Sequence, residues 1–296
     1  YHVIAMVDTD NNVFEKDETN NIKTALLTID PGDTIYVDDT ASDANNGTSW
    51  DSAYFYLQDA LDEAAMRTES VTIKVAQGIY RPDRSTTNPQ GTGDRNASFQ
   101  LVSGVVIEGG YAGIAGTDPD ARDIDVYATL LSGDLLGNDL DDASYADNCV
   151  HVVTAQQCDA ATMLDGLTII GGNADTGDPD QAGGGLLVVG GDPNVSDCVF
   201  LANRAKWSGG GAFCQDSAVT FSGCTFIENH AAHGGGLYHL RAQDAVVEGC
   251  LFMGNSVIYE GGALALDTGN AKIDACLFQE NVAAWNGGAV FVHPAA

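Results

Sequence analysis

The sequence predicts an all-β fold, a parallel β-helix with coils of about 26 residues and one short capping helix near its start. Three observations carry that reading. Cys198, Cys224, Cys250 and Cys276 recur every 26 residues, and so do Phe200, Phe226, Phe252, Phe278 and Asn203, Asn229, Asn255, Asn281. Glycine pairs follow in register at Gly209-Gly210, Gly235-Gly236, Gly261-Gly262 and Gly287-Gly288. Between these markers lie only short apolar runs, such as Ala218-Val219-Thr220-Phe221, Ala245-Val246-Val247 and Ala289-Val290-Phe291-Val292. Self-similarity at a fixed period of about 20–50 residues signals a solenoid, propeller or array. Short β-branched runs bounded by turn residues read as strands. The long stretches of 3.6-residue periodicity that helical repeats require are missing. Propeller blades are longer, and leucine-rich repeats carry a leucine consensus.

The elements follow in chain order. Residues 1–30 stand apart as a hairpin, which alone is marginal in water. Either the rest of its module lies outside this sequence or the hairpin packs on the β-helix. Residues 31–160 are expected to form the N-terminal cap and irregular coils. Within them, 56–66 reads as a helix, because Leu57, Ala60, Leu61 and Ala64 share one face at helical spacing. Ser52 or Asp51 is a candidate to cap its start. Val71-Thr72-Ile73-Lys74-Val75 is the next strand, with Gly78 after it. The helix is expected to cover the open end of the first coil and block edge-to-edge pairing; packing on the side of the solenoid is the alternative.

Residues 161–296 are the regular repeats. Gly166-Leu167-Thr168-Ile169-Ile170 matches Gly223-Cys224-Thr225-Phe226-Ile227 and marks a degenerate coil. An insertion, Asp175-Thr176-Gly177-Asp178-Pro179-Asp180, separates it from Gly183-Gly184-Gly185. Such insertions map to loops on one face, often the binding face. Coils stack about 4.8 Å apart, so Phe should lie on Phe, Cys on Cys and Asn on Asn. Asn at a turn can bond the next coil's backbone and tolerate left-handed geometry, while Gly-Gly marks a bend. The pattern is still running at Val292-His293-Pro294-Ala295-Ala296. An uncovered coil is an open edge, so the native chain is expected to continue, or another subunit to stack there.

The tetrapeptides Phe200-Leu201-Ala202-Asn203, Phe226-Ile227-Glu228-Asn229, Phe252-Met253-Gly254-Asn255 and Phe278-Gln279-Glu280-Asn281, with Gly261-Gly262-Ala263-Leu264 and Gly287-Gly288-Ala289-Val290, resemble the repeats of the chlamydial polymorphic membrane proteins. The second motif is shifted in Gly210-Gly211-Ala212-Phe213 and lacks Ala in Gly234-Gly235-Gly236-Leu237. The resemblance covers roughly residues 160–296. It implies a right-handed parallel β-helix of the pectin lyase-like kind, serving adhesion or surface display. The segments Ile35-Tyr36-Val37-Asp38 and Val106-Ile107-Glu108-Gly109-Gly110-Tyr111-Ala112-Gly113 resemble the openings of large secreted bacterial β-helix proteins. Val7-Asp8-Thr9-Asp10-Asn11-Asn12-Val13-Phe14-Glu15 with Glu18-Thr19-Asn20-Asn21 is similar to the last hairpin of a CARDB-type immunoglobulin-like sandwich.

Composition bounds the rest. The chain has 296 residues, 44% of them hydrophobic, enough for a substantial core. Its 35 glycines suit a fold of many turns. Twelve basic against 42 acidic residues give a net charge of −30. Phosphate binding needs clustered Lys and Arg, so nucleic acid is not an expected partner, nor is an anionic membrane. Strong acidity suits an extracellular surface, and divalent cations would relieve the self-repulsion. Calcium prefers alternating oxygen ligands. Asp8, Asp10 and Asn12 form one candidate site, and Asp134, Asn138, Asp139 and Asp141 a second. Asp175, Asp178 and Asp180 form a weaker third; solvated acidic loops are the competing reading.

The ladder cysteines read as reduced core residues. Cys149 and Cys158 flank the strand His151-Val152-Val153-Thr154 and have the option of a disulfide, Cys214 is unassigned, and no Cys-x-x-Cys pair suggests zinc. No stretch reads as a signal peptide or membrane span, and Tyr1 falls inside a folded-module pattern, so a signal is expected upstream.

Lyase chemistry needs a base beside Ca²⁺, Arg or Lys to stabilise an enolate. The repeats hold few cations, Arg204, Lys206, Arg241 and Lys272, and the first two read as solvated turn residues. Inverting hydrolysis needs carboxylates about 6.5–9.5 Å apart, but the polygalacturonase elements Asn-Thr-Asp, Asp-Asp and Gly-His-Gly are missing. His230, His233 and His239 are read as exposed turn residues rather than an acid/base or metal site. No catalytic residue is assigned. The leading expectation is a non-enzymatic β-helix module, extracellular or on a bacterial cell surface, for adhesion, display or assembly, with a host-surface or glycan ligand. A polysaccharide lyase or glycoside hydrolase is one alternative. A filament subunit, assembled by end-to-end stacking of identical chains, is the other.

Overall fold

A computed structural model describes residues 2–6, 22–26, 34–41, 45–139, 145–177 and 181–293. The chain divides into two compact units, residues 1–33 and 34–296. In the first, the backbone of His2–Met6 pairs antiparallel with Ile22–Leu26. The candidate ligands Asp8, Asp10 and Asn12 lie outside the described residues.

The second unit is a parallel β-helix. Its strands assemble into sheets of 13, seven and five strands, with parallel pairing throughout. One regular coil runs through Thr220–Ser222, Thr225–Ile227 and His230–His233, then turns at glycine into Leu237–Glu248. That last strand spans two positions of the coil and so joins two faces into the 13-stranded sheet.

The ladders stack as the period demands. Phe200, Phe226, Phe252 and Phe278 lie with ring centroids 4.6, 4.6 and 5.1 Å apart and nearly parallel planes. Phe221 meets Phe200 and Phe226 edge-on. Each Cys thiol on the ladder from Cys224 onward donates to a carbonyl of the coil before it, Val195, Phe221 or Val247, at 3.4–3.6 Å. The asparagines are fully engaged. Asn255 Nδ2 donates to the Phe226 carbonyl at 2.8 Å and to Asn281 Oδ1 at 2.9 Å. Its Oδ1 accepts from Asn229 N and Nδ2 at 3.0 and 2.9 Å. Buried amides need such complete pairing, because an orphaned group costs about 1–3 kcal/mol.

Besides the glycine turn, two corners per coil use left-handed backbone. One precedes each ladder Cys, at Asp197, Gly223, Gly249 and Ala275; the other precedes each Asn, at Ala202, Glu228, Gly254 and Glu280. Gly166 and Gly171 hold these positions in the degenerate coil, which pairs with the next as Ile169 on Phe200. The five extra residues fall after Ala174, where the insertion was expected.

The glycine ladder departs from a constant step. Gly209, Gly234, Gly261 and Gly287 make the turn with positive φ, so the turn at Gly234 comes one residue earlier than a step of 26 from Gly209 places it. Strand pairing agrees, with Cys214 on His239 and His239 on Leu266. The lost residue is recovered at a bulge between Ala242 and Ala245. Three consecutive glycines make both corners sterically possible, and strand pairing selects the earlier one.

The helix spans Leu57–Ala64 and buries Leu57, Ala60, Leu61 and Ala64 as expected. It packs against Thr34–Val37, Val71–Ala76 and Phe99–Gln100 at the start of the solenoid, the placement of a cap. Its N-cap is Tyr56, in extended conformation with no side-chain cap, so neither Ser52 nor Asp51 serves. Cys149 and Cys158 are free, buried thiols rather than a disulfide. Among the described residues no helix is long and apolar enough to cross a membrane.

Candidate functional site

Parallel strands alternate inward and outward side chains. On the face after the glycine corner, Leu186, Val188, Ala212, Cys214, Leu237, His239 and Leu264 point inward and are buried. Their neighbours Leu187, Phe213, Tyr238 and Ala265 form an outward column, and Val189, Gln215, Leu240 and Asp267 form the next. These columns floor an open groove of about 510 Å³ along the solenoid. The Phe213 and Tyr238 rings stack at 5.7 Å, and Tyr238 Oη donates to Asp267 Oδ2 at 3.0 Å. Burial, and secondarily that bond to Asp267, raises the Tyr238 phenol pKa, so it stays a donor across the physiological range.

The corner supplies one wall. Register places Trp207, Ala232, Tyr259 and Trp285 in a column. Trp207 lines the groove and is 50% exposed, while Trp285 is 69% exposed and meets Tyr259 edge-on at 4.9 Å. Trp207 and Tyr259 are two coils apart, about 9.6 Å at normal strand spacing. Gln181 also lines the groove. It is only 9% exposed, and its Oε1 is buried without a hydrogen-bond donor among the described residues. Beside the groove, Glu260 approaches His233 Nδ1 at 3.9 Å and His293 Nε2 at 3.7 Å. Burial lowers the His233 pKa against the opposing pull of Glu260.

The residues singled out in the sequence fall elsewhere or outside. Asp134 turns its carboxylate onto its own loop: Oδ1 accepts from Gly137 N at 2.6 Å and Asn138 N at 3.1 Å, and Oδ2 from Asp139 N at 3.2 Å. Asp139 Oδ2 accepts from Asn148 Nδ2 at 2.9 Å. Asp141, Asp178 and Asp180 lie outside the described residues, and Asp175 pairs with Arg95 at 2.6 Å. Among the described residues no three His, Cys, Asp or Glu side chains gather where a metal could sit. Arg204 stacks on Tyr145 at 3.9 Å, Arg241 pairs with Asp216, and Lys272 pairs with Asp274.

The histidines differ from expectation. His230 and His233 are half-buried strand residues. His239 is 0% exposed, and neither ring nitrogen has a partner. A constant step of 26 would pair it with the outward Phe213; the one-residue slip pairs it with the inward Cys214 instead. Parity along a strand is unforgiving, because a shift of one residue exchanges the faces. The stacking of Tyr238 on Phe213 escaped the sequence reading for the same reason, whereas Trp207, Tyr259 and Trp285 keep the constant step.

Comparison with known proteins agrees with the fold. The family model described as "Right handed beta helix region" matches residues 141–294, more than half of the chain and most of the groove. A pectin methylesterase from Aspergillus niger is similar in structure at 14% identity and a TM-score of 0.36, covering 86% of each chain. That likeness is too low to bear on activity. No curated protein matches. The matched region contains the Cys, Phe and Asn ladders whose stacking builds the solenoid, and the chain belongs to the right-handed β-helix family.

Proposed function

We propose that this chain is a glycan-binding β-helix module acting in adhesion or display at a cell exterior. The observation that carries the reading is the groove: an aromatic floor of Phe213 and Tyr238, exposed Trp207 at its wall, and the unpartnered Gln181 Oε1 inside it. Sugar rings present apolar C–H faces that pack on aromatic surfaces, while their hydroxyls exchange hydrogen bonds with amides and carboxylates. Ligand sites combine these features, mostly apolar walls with a few placed polar groups. Gln181 Oε1 gains a donor from a sugar hydroxyl, and Asp267 and Gln215 offer further partners. The lining has Asp267 but no Lys or Arg, and the chain carries −30. Charge therefore favours a neutral glycan over an acidic one.

Glu260, held between two histidines, favours a second reading as a glycoside hydrolase. Calorimetry with neutral oligosaccharides, alongside a reducing-end assay, separates the two. The adhesion reading expects binding, a loss of at least about tenfold in Trp207→Ala for one hot-spot aromatic, and no new reducing ends. Absence of binding, or binding indifferent to Trp207→Ala, would overturn it. Reducing ends that vanish in Glu260→Gln would replace it with the hydrolase.

A further inference from the structure

With 12 cations against 42 carboxylates, an unpaired cation in this chain is an exception to be explained. Arg67, Lys74, Arg95, Arg122, Arg241 and Lys272 each have an ion-pair partner, Arg204 stacks on Tyr145, and Lys206 is exposed to solvent. Arg81 and Arg84 differ. They line one open pocket of about 430 Å³ with Asp39, Phe55, Tyr56 and Ile79. Among the described residues neither guanidinium has a carboxylate at ion-pair distance. Arg81 Nε donates to the Asp134 carbonyl at 2.7 Å, and its Nη2 lies beside Gly137 of the same loop. Arg84 Nε is buried and has no acceptor. Burial first, and the charge of Arg84 second, lower the Arg81 pKa. Two like charges thus share a partly dehydrated space without a direct ion pair among the described residues, Asp134 and Asp83 opposing the shift of Arg81 only from beyond ion-pair distance, an arrangement that a bound anion would relieve.

The start of the capping helix adds to the field. Leu57 lines the same pocket, and no side chain caps the helix N-terminus there. Unpaired N–H groups at a helix start favour negative charge. We propose that this pocket binds the carboxylate of a small organic acid. Guanidinium forks match a carboxylate with two parallel hydrogen bonds. Asp39 lines the pocket, and Asp134 and Asp83 act on Arg81, so the surrounding carboxylates favour a monoanion over a dianion such as phosphate. Phe55, Tyr56 and the 49%-exposed Ile79 form an apolar wall for the carbon body of the acid. The pocket shares no lining residue with the groove, so the two sites stand or fall separately.

Calorimetry on the full chain at constant ionic strength, with benzoate, acetate and inorganic phosphate as probes, tests the proposal. Benzoate is expected to bind at least about tenfold more tightly than acetate or phosphate, since the wall adds apolar burial. Arg84→Gln is expected to weaken benzoate at least about tenfold, the loss of a charge-assisted bond, and Arg84→Lys less. Trp207→Ala should leave benzoate binding unchanged. In the wild-type chain, saturating benzoate should protect Arg81 and Arg84 from phenylglyoxal, read by mass spectrometry, which needs no variant to fold. Phosphate binding more tightly than benzoate overturns the carboxylate assignment. Absence of benzoate binding, an Arg81→Gln/Arg84→Gln chain that binds normally, or no protection overturns the site.

Discussion

His239 shows how much one buried residue can cost. Its ring sits between Cys214 and Leu266 inside the solenoid, with both nitrogens unpartnered. Burial lowers its pKa from 6.5 to about 4. The unfolded chain therefore binds a proton between these values that the folded chain refuses. Stability should fall as pH drops through that window, by roughly 3 kcal/mol in total, and be independent of this group above neutrality. His239→Leu keeps the volume and removes both the titration and the unpaired polar atoms. Urea unfolding at pH 7 and pH 4.5 should show higher stability at pH 7 and a much smaller loss at pH 4.5. An unchanged pH dependence would assign the slope to other groups. Burial acts in the opposite sense on an acid, raising the Cys198 thiol to about 12.

At the level of elements, strands of three residues cannot hold together alone, and the ladders between coils hold them. Asn255→Ala would strip the partners of Asn229 N, Asn229 Nδ2 and the Phe226 carbonyl at once. The expected loss is about 2–4 kcal/mol, from several orphaned buried groups. Phe226→Ala should cost about 3–5 kcal/mol through the cavity it opens between Phe200 and Phe252. Equilibrium unfolding checks both. Glu228→Gly, by contrast, should be neutral or stabilising by up to about 1 kcal/mol, since φ is 53° there. Gly254 already occupies that position one coil later. A Glu228→Gly loss as large as that of Asn255→Ala would show that the corner backbone is not strained.

Over the whole molecule, the net charge of −30 sets the response to ions. Self-repulsion in the folded state should be relieved by salt, because screening lengths shrink from about 30 Å at 0.01 M to about 10 Å at 0.1 M. The melting midpoint should therefore rise with NaCl. The calcium expectation for Asp134, Asn138, Asp139 and Asp141 requires more: a further rise with CaCl₂ at matched ionic strength, reversed by chelation. Equal midpoints in the two salts would leave Asp134 as a cap for its own loop amides, the role its hydrogen bonds describe.

The repeat period by itself determined the architecture, the inward Phe, Cys and Asn columns and the degenerate coil with its insertion, and helical spacing determined the face of the capping helix. These are legible because stacking at one strand spacing forces residues a period apart onto one another, so identity along the chain becomes identity in space. Tertiary structure alone decided the corner slip at Gly234, and with it the burial of His239 and the outward stacking of Tyr238 on Phe213. A slip of one residue leaves composition and approximate period untouched while exchanging inside for outside. The meeting of Arg81 and Arg84 with the start of the capping helix was equally hidden, since residues some 25 positions apart share a pocket only once the first coil closes. Core ladders repeat and announce themselves; sites arise where the repeat breaks.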